Sequence, residues 1–381
     1  MNRPVIGIDA RYAFRAQRHG IGQYVYHLLH AYATEAGDLD FHLYVDAGAD
    51  PDLLPMLGDR FRVIKLPVSN PLLFEEWALP RAAARDRISL LHLTANYGAS
   101  VTTCPTVHTI NDLIEFIRSD VAPWRQDWRH GLGRWARRQV LPRAVRRTEA
   151  IVCPSDCTRR DVLRLTPCDP QKISVIPFGV GDIQPSPDPA QLRRKMRSRG
   201  LGVPDTYVLV FGALDPRKNA RIAVQTFSRL VEDFPGVELW VVGVEDLGRF
   251  SAVLPTSSIK VLPFLPRQDA LDLLCGATVL IYPSLYEGFG LPVLEAMAAG
   301  IPVLASNSSS VPEVVGEAGI LFDPVTGAGL EEGLRLILGH SKVAQSLRVK
   351  GLERAAGFTW QRAGRAHLAV YRRVLEKLHG H

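Results

Sequence analysis

The sequence predicts an α/β protein with two domains, each built on a parallel β-sheet. The chain has 381 residues, which is enough for two domains of ordinary size. Short apolar runs rich in β-branched residues recur along it, and a longer segment of helical character follows each run. This alternation is typical of parallel sheets built from crossover units. A stretch rich in proline and glycine, residues 177–204, separates two series of such units.

Seven runs before this stretch and six after it are predicted as strands. The first series is Val5–Ile8, Phe41–Val45, Phe61–Leu66, Leu90–Leu93, Thr106–Ile110, Ala150–Cys153 and Ile173–Ile176. The second series is Tyr207–Phe211, Val237–Val242, Ile259–Leu262, Val279–Tyr282, Val303–Ala305 and Gly319–Phe322. Ligands of open parallel sheets bind beyond the carboxyl ends of the strands, so we expect a site in a cleft between the two domains.

Composition excludes several classes of protein. A hydrophobic fraction of 46% and a charged fraction of 22% are ordinary for a globular chain and exclude a disordered or collagen-like one. No apolar run reaches the ~18 residues that a bilayer span needs, and the N-terminus does not resemble a signal peptide, so we expect a cytoplasmic protein. Five cysteines without a C-x-x-C pair argue against a disulfide framework and a zinc site. A net charge of +6 favours anionic partners.

The most informative segment, residues 284–313, reads SLYEGFGLPVLEAMAAGIPVLASNSSSVPE. A loop in which Gly288 and Gly290 can take positive φ follows a predicted strand. Pro292 suits the first turn of a helix, predicted over Val293–Ala299, and Gly300 is a suitable residue to end it. The segment therefore predicts a strand, a glycine loop and a short helix.

The start of this helix predicts an anion site. The backbone N–H groups of Phe289, Gly290 and Leu291 lie at or before the helix N-terminus, where they have no intrahelical acceptor and favour an anion. Glu287 in the loop and Glu295, placed in the first helical turn, suit hydrogen bonds to sugar hydroxyls. The alternative is that the glycines only turn the chain and Glu295 interacts with the helix dipole.

The whole segment resembles the E-x7-E signature of retaining glycosyltransferases of the GT-B fold, in family 4 (glycosyl transferases group 1). Glu287 and Glu295 match the two glutamates, with seven residues between them. The resemblance implies two Rossmann-like domains whose parallel sheets face an interdomain cleft. It implies acceptor binding by residues 1–180, with a final helix 360–378 packed back on them, and nucleotide-sugar binding by residues 181–358. It also implies no metal and no cofactor, the nucleotide sugar being a co-substrate.

A second motif, YVLVFGALDPRKN (Tyr207–Asn219), contains Arg217 and Lys218 just before its last residue. An isolated Arg-Lys pair is usually a solvated basic loop. Here the motif resembles the phosphate-binding turn of the same family, which implies that the two cations neutralise a diphosphate leaving group. Many members carry an arginine directly after the glycine, where this chain has Ala213.

The first strand ends at Asp9, which we place on the acceptor side, and a glycine-rich loop with Gly20 and Gly22 follows. These glycines precede an apolar helix predicted over Val25–Tyr32 and would let the backbone approach a phosphate. The resemblance implies that this loop faces the donor diphosphate. A plain loop is the alternative, because the dinucleotide-binding fingerprint is incomplete.

The segment after the Thr106–Ile110 strand provides candidates for the acceptor side. Many relatives have His-Asp here, whereas this chain has Asn111-Asp112. Asn111 can hydrogen-bond a hydroxyl but cannot take a proton, so Asp112 is the preferred carboxylate. His108 is also a candidate, although strand alternation favours a buried histidine.

Residues from Trp124 to Arg147 are rich in arginine, and Trp124, Trp128 and Trp135 fall on one helical stripe. Such a segment can lie on an anionic membrane, or it can pack its tryptophans inward as an ordinary domain helix. No RNA-binding motif accompanies it, so nucleic acid is not expected.

Together these patterns predict a retaining hexosyltransferase with Glu287, Lys218 and Asp112 as catalytic residues. The motifs resemble those of mannosyltransferases, which favours GDP-mannose as donor, with a UDP-sugar as the alternative. We expect a glycan or lipid-linked acceptor. Two other functions remain open. One is a sugar-nucleotide epimerase of the same fold, and the other is a non-catalytic nucleotide-sugar-binding subunit, which Asn111 and Ala213 keep under consideration.

Overall fold

The structure is a computed structural model that describes residues 3–16, 18, 20–50, 52, 57–96, 98–116, 140–181, 183–186, 188–212, 215–243 and 257–379. The chain divides into two compact units. The first consists of Met1–Gly179 and Thr359–His381, and the second of Val180–Phe358. The chain thus returns to its first unit after completing the second.

The first unit is built on a seven-stranded parallel sheet. Its strands are β1 (Val5–Asp9), β2 (Asp40–Val45), β3 (Phe61–Lys65), β4 (Leu90–Leu93), β5 (Thr106–Thr109), β6 (Ala150–Cys153) and β7 (Ile173–Val175). Their order across the sheet is β3-β2-β1-β4-β5-β6-β7. The helices are α1 (Gly20–Glu35), α2 (Pro71–Leu73), α3 (Leu79–Arg85), α4 (residues 140–147) and α5 (Asp156–Leu165), with a π-helical turn, Phe74–Ala78, between α2 and α3.

The second unit is built on a six-stranded parallel sheet. Its strands are β8 (Thr206–Phe211), β9 (Val237–Val242), β10 (Ile259–Leu262), β11 (Val279–Tyr282), β12 (Val303–Ser306) and β13 (Ile320–Phe322), in the order β10-β9-β8-β11-β12-β13. The helices are α6 (Pro189–Ser198), α7 (Ala220–Leu230), α8 (Arg267–Gly276), α9 (Leu291–Ala298), α10 (Val311–Val315), α11 (Leu330–Gly339) and α12 (Ser341–Ala356). Two Rossmann-like parallel-sheet units are the predicted fold class, and each predicted strand is confirmed with ends shifted by at most one residue.

The division between the two units falls near the start of the proline- and glycine-rich stretch 177–204, and most of this stretch is folded as part of the second unit. Asp188 accepts a hydrogen bond from the N–H of Gln191 (2.9 Å) and starts α6, with Pro189 in its first turn. Met196 is fully buried, and Arg193 donates to the carbonyl oxygen of Gly276 at the end of α8 (3.0 Å). Here proline and glycine residues stand near the ends of α6, and the side chains between them pack.

A last helix, α13 (Trp360–His379), belongs to the first unit and packs against α1. His367 on α13 places Nε2 2.9 Å from the Tyr24 hydroxyl and Nδ1 2.8 Å from the carbonyl oxygen of Ala363. Burial lowers the pKa of His367 to about 4, so the ring is neutral at pH 7. A carbonyl only accepts, so Nδ1 carries the proton and Tyr24 donates to Nε2.

The same hydrogen-bond chain continues through the sheet. Tyr24 has used its proton, so it accepts from the Thr109 hydroxyl (2.9 Å), and Thr109 in turn accepts from Nε2 of His92 (2.8 Å). Burial holds the pKa of His92 well below its usual value, so Nδ1 is free to accept from Tyr371 on α13 (2.6 Å). The two buried histidines therefore hold opposite tautomers.

Candidate functional site

The loop after β11 leads into α9, as predicted, but the helix begins earlier. Gly290 is the N-cap, with φ of +109°, and the first helical residue is Leu291. Pro292 lies in the first turn, as expected. Glu295 lies in the second turn, so its predicted place in the first turn is wrong. The reason is that Gly290, rather than the proline, ends the loop, since a left-handed backbone there lets Leu291 start the helix.

The end of α9 agrees with the sequence prediction. Gly300 has φ of +69°, and its N–H donates to the carbonyl oxygen of Met297 (3.0 Å). The N–H of Ile301 donates to the carbonyl oxygen of Ala296 (2.8 Å), which completes a Schellman motif. A short helix is thus fixed at both ends, and its start is held at the carboxyl edge of the sheet.

A turn after β8 places two cations beside this loop. Gly212 has φ of +82°, and a Cβ there would lie 2.7 Å from Cγ of Lys218. Pro216–Lys218 form a single 3-10 turn, which begins where Asp215 accepts from the N–H of Arg217 (2.9 Å). The glycine is therefore required for the lysine side chain to lie back along the end of the strand.

Lys218 and Glu287 form the centre of the site. Nζ of Lys218 donates to Oε1 of Glu287 (2.7 Å) and to the hydroxyl of Tyr282 (2.9 Å). Ser284 donates to the same Oε1 (2.6 Å), while Nη1 of Arg217 lies 3.6 Å from Oε2. One carboxylate oxygen is thus held by two donors, and the other faces a more distant cation.

Glu287 is ionised at neutral pH. It is 8% exposed, and burial alone would raise its pKa, but the charges of Lys218 and Arg217 outweigh burial and lower the pKa to about 2. A carboxylate in this state only accepts hydrogen bonds. It is therefore suited to hold hydroxyl groups.

Three serines that we gave no role fix the main chain of this loop. The N–H of Glu287 donates to the Ser309 hydroxyl (2.8 Å), and the Ser310 hydroxyl lies 2.9 Å from the carbonyl oxygens of Glu287 and Phe289. Ser308 donates to the carbonyl oxygen of Leu285 (2.8 Å). The run of three serines was the sequence signal for this support.

Glu295, the second acidic candidate, is paired with an arginine that the sequence analysis missed. Arg267 at the start of α8 makes two hydrogen bonds to its carboxylate, one of them 3.1 Å from Nη1 to Oε2. Glu295 is 7% exposed. The two glutamates therefore each have a basic partner, one in the loop before α9 and one within α9. At that N-terminus, Gly288, Phe289, Gly290 and Leu291 form the connecting backbone.

In the first unit, Asp9 takes part in a buried ion-pair network. Both of its carboxylate oxygens accept from Arg11, at 2.9 and 2.7 Å, and Arg11 also donates to Glu75 (2.7 Å). Arg11 is 2% exposed, and its guanidinium lies 4.2 Å from the ring centroid of Phe74. Burial alone would lower the pKa of Arg11, but the two carboxylates raise it. Sequence reasoning singled out neither Arg11 nor Glu75.

The candidates in β5 and directly after it are buried or partly buried. His108 is fully buried, as strand alternation favours, and its Nε2 lies 2.9 Å from the carbonyl oxygen of Ala95. Asn111 donates through Nδ2 to the carbonyl oxygen of Thr94 (3.0 Å), while its Oδ1 has no partner among the described residues. Asp112 accepts from the N–H of Ile114 (3.1 Å).

The glycine-rich loop of the first unit differs from the prediction. The helix predicted from Val25 begins at Gly20, so Gly22 lies inside the first turn of α1 and not before it. A Cβ at Gly22 would lie 2.7 Å from the carbonyl oxygen of Tyr12. Gly22 therefore allows close packing of α1 against the preceding turn.

Some expectations fall outside the described residues, namely Ala213 and the tryptophans Trp124, Trp128 and Trp135. Within the described ranges, no group of three or more His, Cys, Asp or Glu side chains could hold a metal ion. Across those same ranges, no helix is both long enough and apolar enough to cross a bilayer.

Comparison with known proteins agrees with this architecture. A sequence model of the family "Glycosyl transferases group 1" matches residues 193–354, and one of "Glycosyltransferase Family 4" matches residues 18–182. Sucrose-phosphate synthase from Thermosynechococcus elongatus superposes with a TM-score of 0.77 at 20% identity, covering 98% of this chain and 100% of that one.

Sequence relatives include O-antigen chain mannosyltransferase B of Escherichia coli, 26% identical over 287 residues, which are 74% of this chain and 70% of that protein. The serotype-specific mannosyltransferase WbdA of Escherichia coli is 30% identical over 238 residues, which are 59% of this chain and 28% of WbdA. From the two family matches and the two parallel-sheet units it follows that the chain belongs to the GT-B glycosyltransferases of family 4 and group 1 and is related to mannosyltransferases.

Proposed function

We propose that the protein is a retaining hexosyltransferase that moves mannose from GDP-mannose to a glycan or lipid-linked acceptor. The observation that carries the proposal is the ion pair of Lys218 with the ionised, buried Glu287 beside the N-terminus of α9. Mannose is favoured because the relatives named above are mannosyltransferases. A UDP-sugar is the alternative donor.

The donor diphosphate would be bound by Lys218, Arg217 and the backbone N–H groups at Gly290 and Leu291. These groups combine two positive side chains with a helix N-terminus, which is a favourable environment for an anion. No acceptor for these two N–H groups is found among the described residues. The side chains of Lys218 and Arg217 are each 17% exposed, so the charges act in a partly desolvated site where they are stronger.

The sugar would be oriented by Glu287. Its Oε1 is already held by Lys218 and Ser284, whereas Oε2 has Arg217 at 3.6 Å and can still accept a hydroxyl. Glu295 would accept from the ribose at the other end of the nucleotide. Each such charge-assisted bond contributes about 1.5–3 kcal/mol.

Transfer with retention needs no protein nucleophile. The bond from the anomeric carbon to the diphosphate oxygen breaks, the acceptor oxygen bonds to the anomeric carbon on the same face, and the acceptor proton passes to the departing diphosphate. Lys218 and Arg217 stabilise the negative charge that develops on the leaving group. In this proposal these two cations supply the charge that a metal ion provides in other transferases.

The acceptor would bind to the first unit. Oδ1 of Asn111 is a buried acceptor with no partner in the described part of the chain, and it can receive a hydroxyl proton in a hydrogen bond. Asp112 is the neighbouring carboxylate and would orient the attacking hydroxyl. Gly20 at the start of α1 would approach the donor phosphate.

The donor assignment is tested by thermal shift with GDP, UDP and ADP at equal concentration. A nucleotide present at 100 times its Kd stabilises the folded protein by about 2.7 kcal/mol, so the nucleotide with the cognate base should give a clearly larger thermal shift than the other two. Incubation with GDP-mannose or UDP-glucose then shows which donor is slowly hydrolysed. Equal, negligible shifts with all three nucleotides would contradict the proposal. NMR of the first sugar released, or of the transferred product, reports whether its anomeric configuration is retained.

A further inference from the structure

Exposed large apolar side chains concentrate on one surface of the first unit. Leu72, Leu73 and Trp77 are 44%, 57% and 52% exposed, and Val101 is 60% exposed. The first three lie on α2 and on the π-helical turn that follows it. We call these four side chains the apolar patch. Contiguous exposed apolar surface of this kind marks an interaction site more often than a stray side chain does.

The apolar patch is not part of the core. The opposite face of the same helical segment is buried in a cluster that contains Phe74, Ala78, Leu79, Ala82 and Ala83. The segment therefore already has its packing partner on the inside. Leu73 and Trp77 are presented outward without contributing to that cluster.

A hydrogen bond between Ser100 and Glu76 holds the neighbouring Val101 near Trp77. The N–H of Ser100 lies 3.1 and 3.2 Å from the two carboxylate oxygens of Glu76, which directly precedes Trp77. Glu76 is the acidic residue closest in sequence to the apolar patch, and this hydrogen bond from the backbone N–H of Ser100 partly offsets its negative charge.

Two arginines border the apolar patch. The guanidinium carbon of Arg81 lies 4.6 Å from the ring centroid of Trp77, and Arg147 donates to the carbonyl oxygen of Ser100 (2.9 Å). Neither arginine is in an ion pair with a carboxylate of the described residues. The apolar patch therefore combines the ring of Trp77 and the neighbouring leucines with the positive charge of nearby arginines.

We propose that the apolar patch and its two arginines dock on the surface of an anionic lipid bilayer. Leu72, Leu73 and Trp77 would enter the boundary between headgroups and acyl chains, and the guanidinium groups of Arg81 and Arg147 would bind lipid phosphates. Uncompensated positive charge beside apolar surface matches an anionic membrane better than an apolar protein face. The proposal does not depend on the sugar donor or on the chemistry of transfer.

The test is co-sedimentation of the full-length protein with vesicles of phosphatidylethanolamine and phosphatidylglycerol. We expect binding that is at least tenfold weaker to phosphatidylcholine vesicles and in 0.5 M salt, because the attraction is screened. The variant Leu73→Ser/Trp77→Ser should bind at least tenfold more weakly than wild type, and Arg81→Gln should lower binding severalfold.

The matched control is Val325→Ser/Val349→Ser, since these valines are 78% and 45% exposed on the second unit. It should bind vesicles like wild type. Thermal melts confirm that each variant folds. Wild-type vesicle binding by Leu73→Ser/Trp77→Ser would overturn the proposal and place any membrane contact elsewhere, for example in the Trp124–Trp135 segment. If wild type instead forms dimers that the variant loses, with no vesicle binding by either, the patch is a self-association surface and the proposal is wrong.

Discussion

Replacing Lys218 by alanine tests the ion pair at the centre of the site. In the wild type, the pKa of Glu287 is lowered from 4.5 to about 2 even though burial opposes the charge. The charges of Lys218 and Arg217 therefore favour the ionised carboxylate by more than burial disfavours it. Without Lys218, the carboxylate keeps Ser284 at 2.6 Å, but its nearest remaining cation is Arg217 at 3.6 Å.

Two consequences are expected for Lys218→Ala. The free energy of unfolding at pH 7 should fall by about 3 kcal/mol, because a buried charge loses its partner. The kcat/KM for the donor should fall about 10- to 100-fold, since about 1.5–3 kcal/mol of stabilisation of the leaving group is lost. Urea unfolding and initial-rate kinetics measure the two effects.

A double-mutant cycle separates the ion pair from other effects of the substitution. Lys218→Ala/Glu287→Gln should be more stable than the sum of the two single losses predicts, because no unpaired charge remains. Lys350→Ala, which removes an exposed lysine of α12, is the control and should leave stability and kinetics unchanged. If Lys218→Ala unfolds at the same urea concentration as wild type and transfers sugar at the same rate, the reasoning is refuted.

Three further predictions follow from the same geometry. Glu287→Gln should lower kcat at least 100-fold while the Kd for the nucleoside diphosphate, measured by calorimetry, changes less than threefold; an equal loss of nucleotide affinity would contradict its assignment to the sugar. The unfolded-state pKa of His367 is near 6.5 and the folded one about 4, so the folded protein binds fewer protons. The free energy of unfolding should therefore fall by up to about 3 kcal/mol as pH drops from 6.5 to 4, and constant stability in urea melts over that range would be inconsistent with a neutral buried ring. Nitrogen-15 spectra at pH 7 should show the proton on Nδ1 of His367 and on Nε2 of His92, and identical tautomers would contradict the directed chain.

The strands were predictable because each is a short apolar run ended by a polar or glycine-containing turn. Parallel sheets bury both faces of their strands, so the signal does not depend on alternation. The boundaries of the helices were less predictable. The starts of α1 and α9 depend on Gly20 and Gly290 taking a left-handed backbone, and an apolar-run analysis does not contain that information.

Sequence patterns single out Glu287 and Lys218 because each lies in a motif of its own, but 69 residues separate them and no pattern predicts their contact. Contacts between distant segments were not predictable. Arg267 is 28 residues from Glu295, and Arg11 is 64 residues from Glu75, so their pairing follows only from the packing of separate crossover units.

The most direct measurement is a crystal structure of the protein with GDP-mannose or its unreactive analogue. The diphosphate should lie against Lys218, Arg217 and the N–H groups of Gly290 and Leu291, with a mannose hydroxyl hydrogen-bonded to Oε2 of Glu287. A nucleotide sugar bound elsewhere, with the Lys218–Glu287 ion pair untouched and remote from it, would contradict the account.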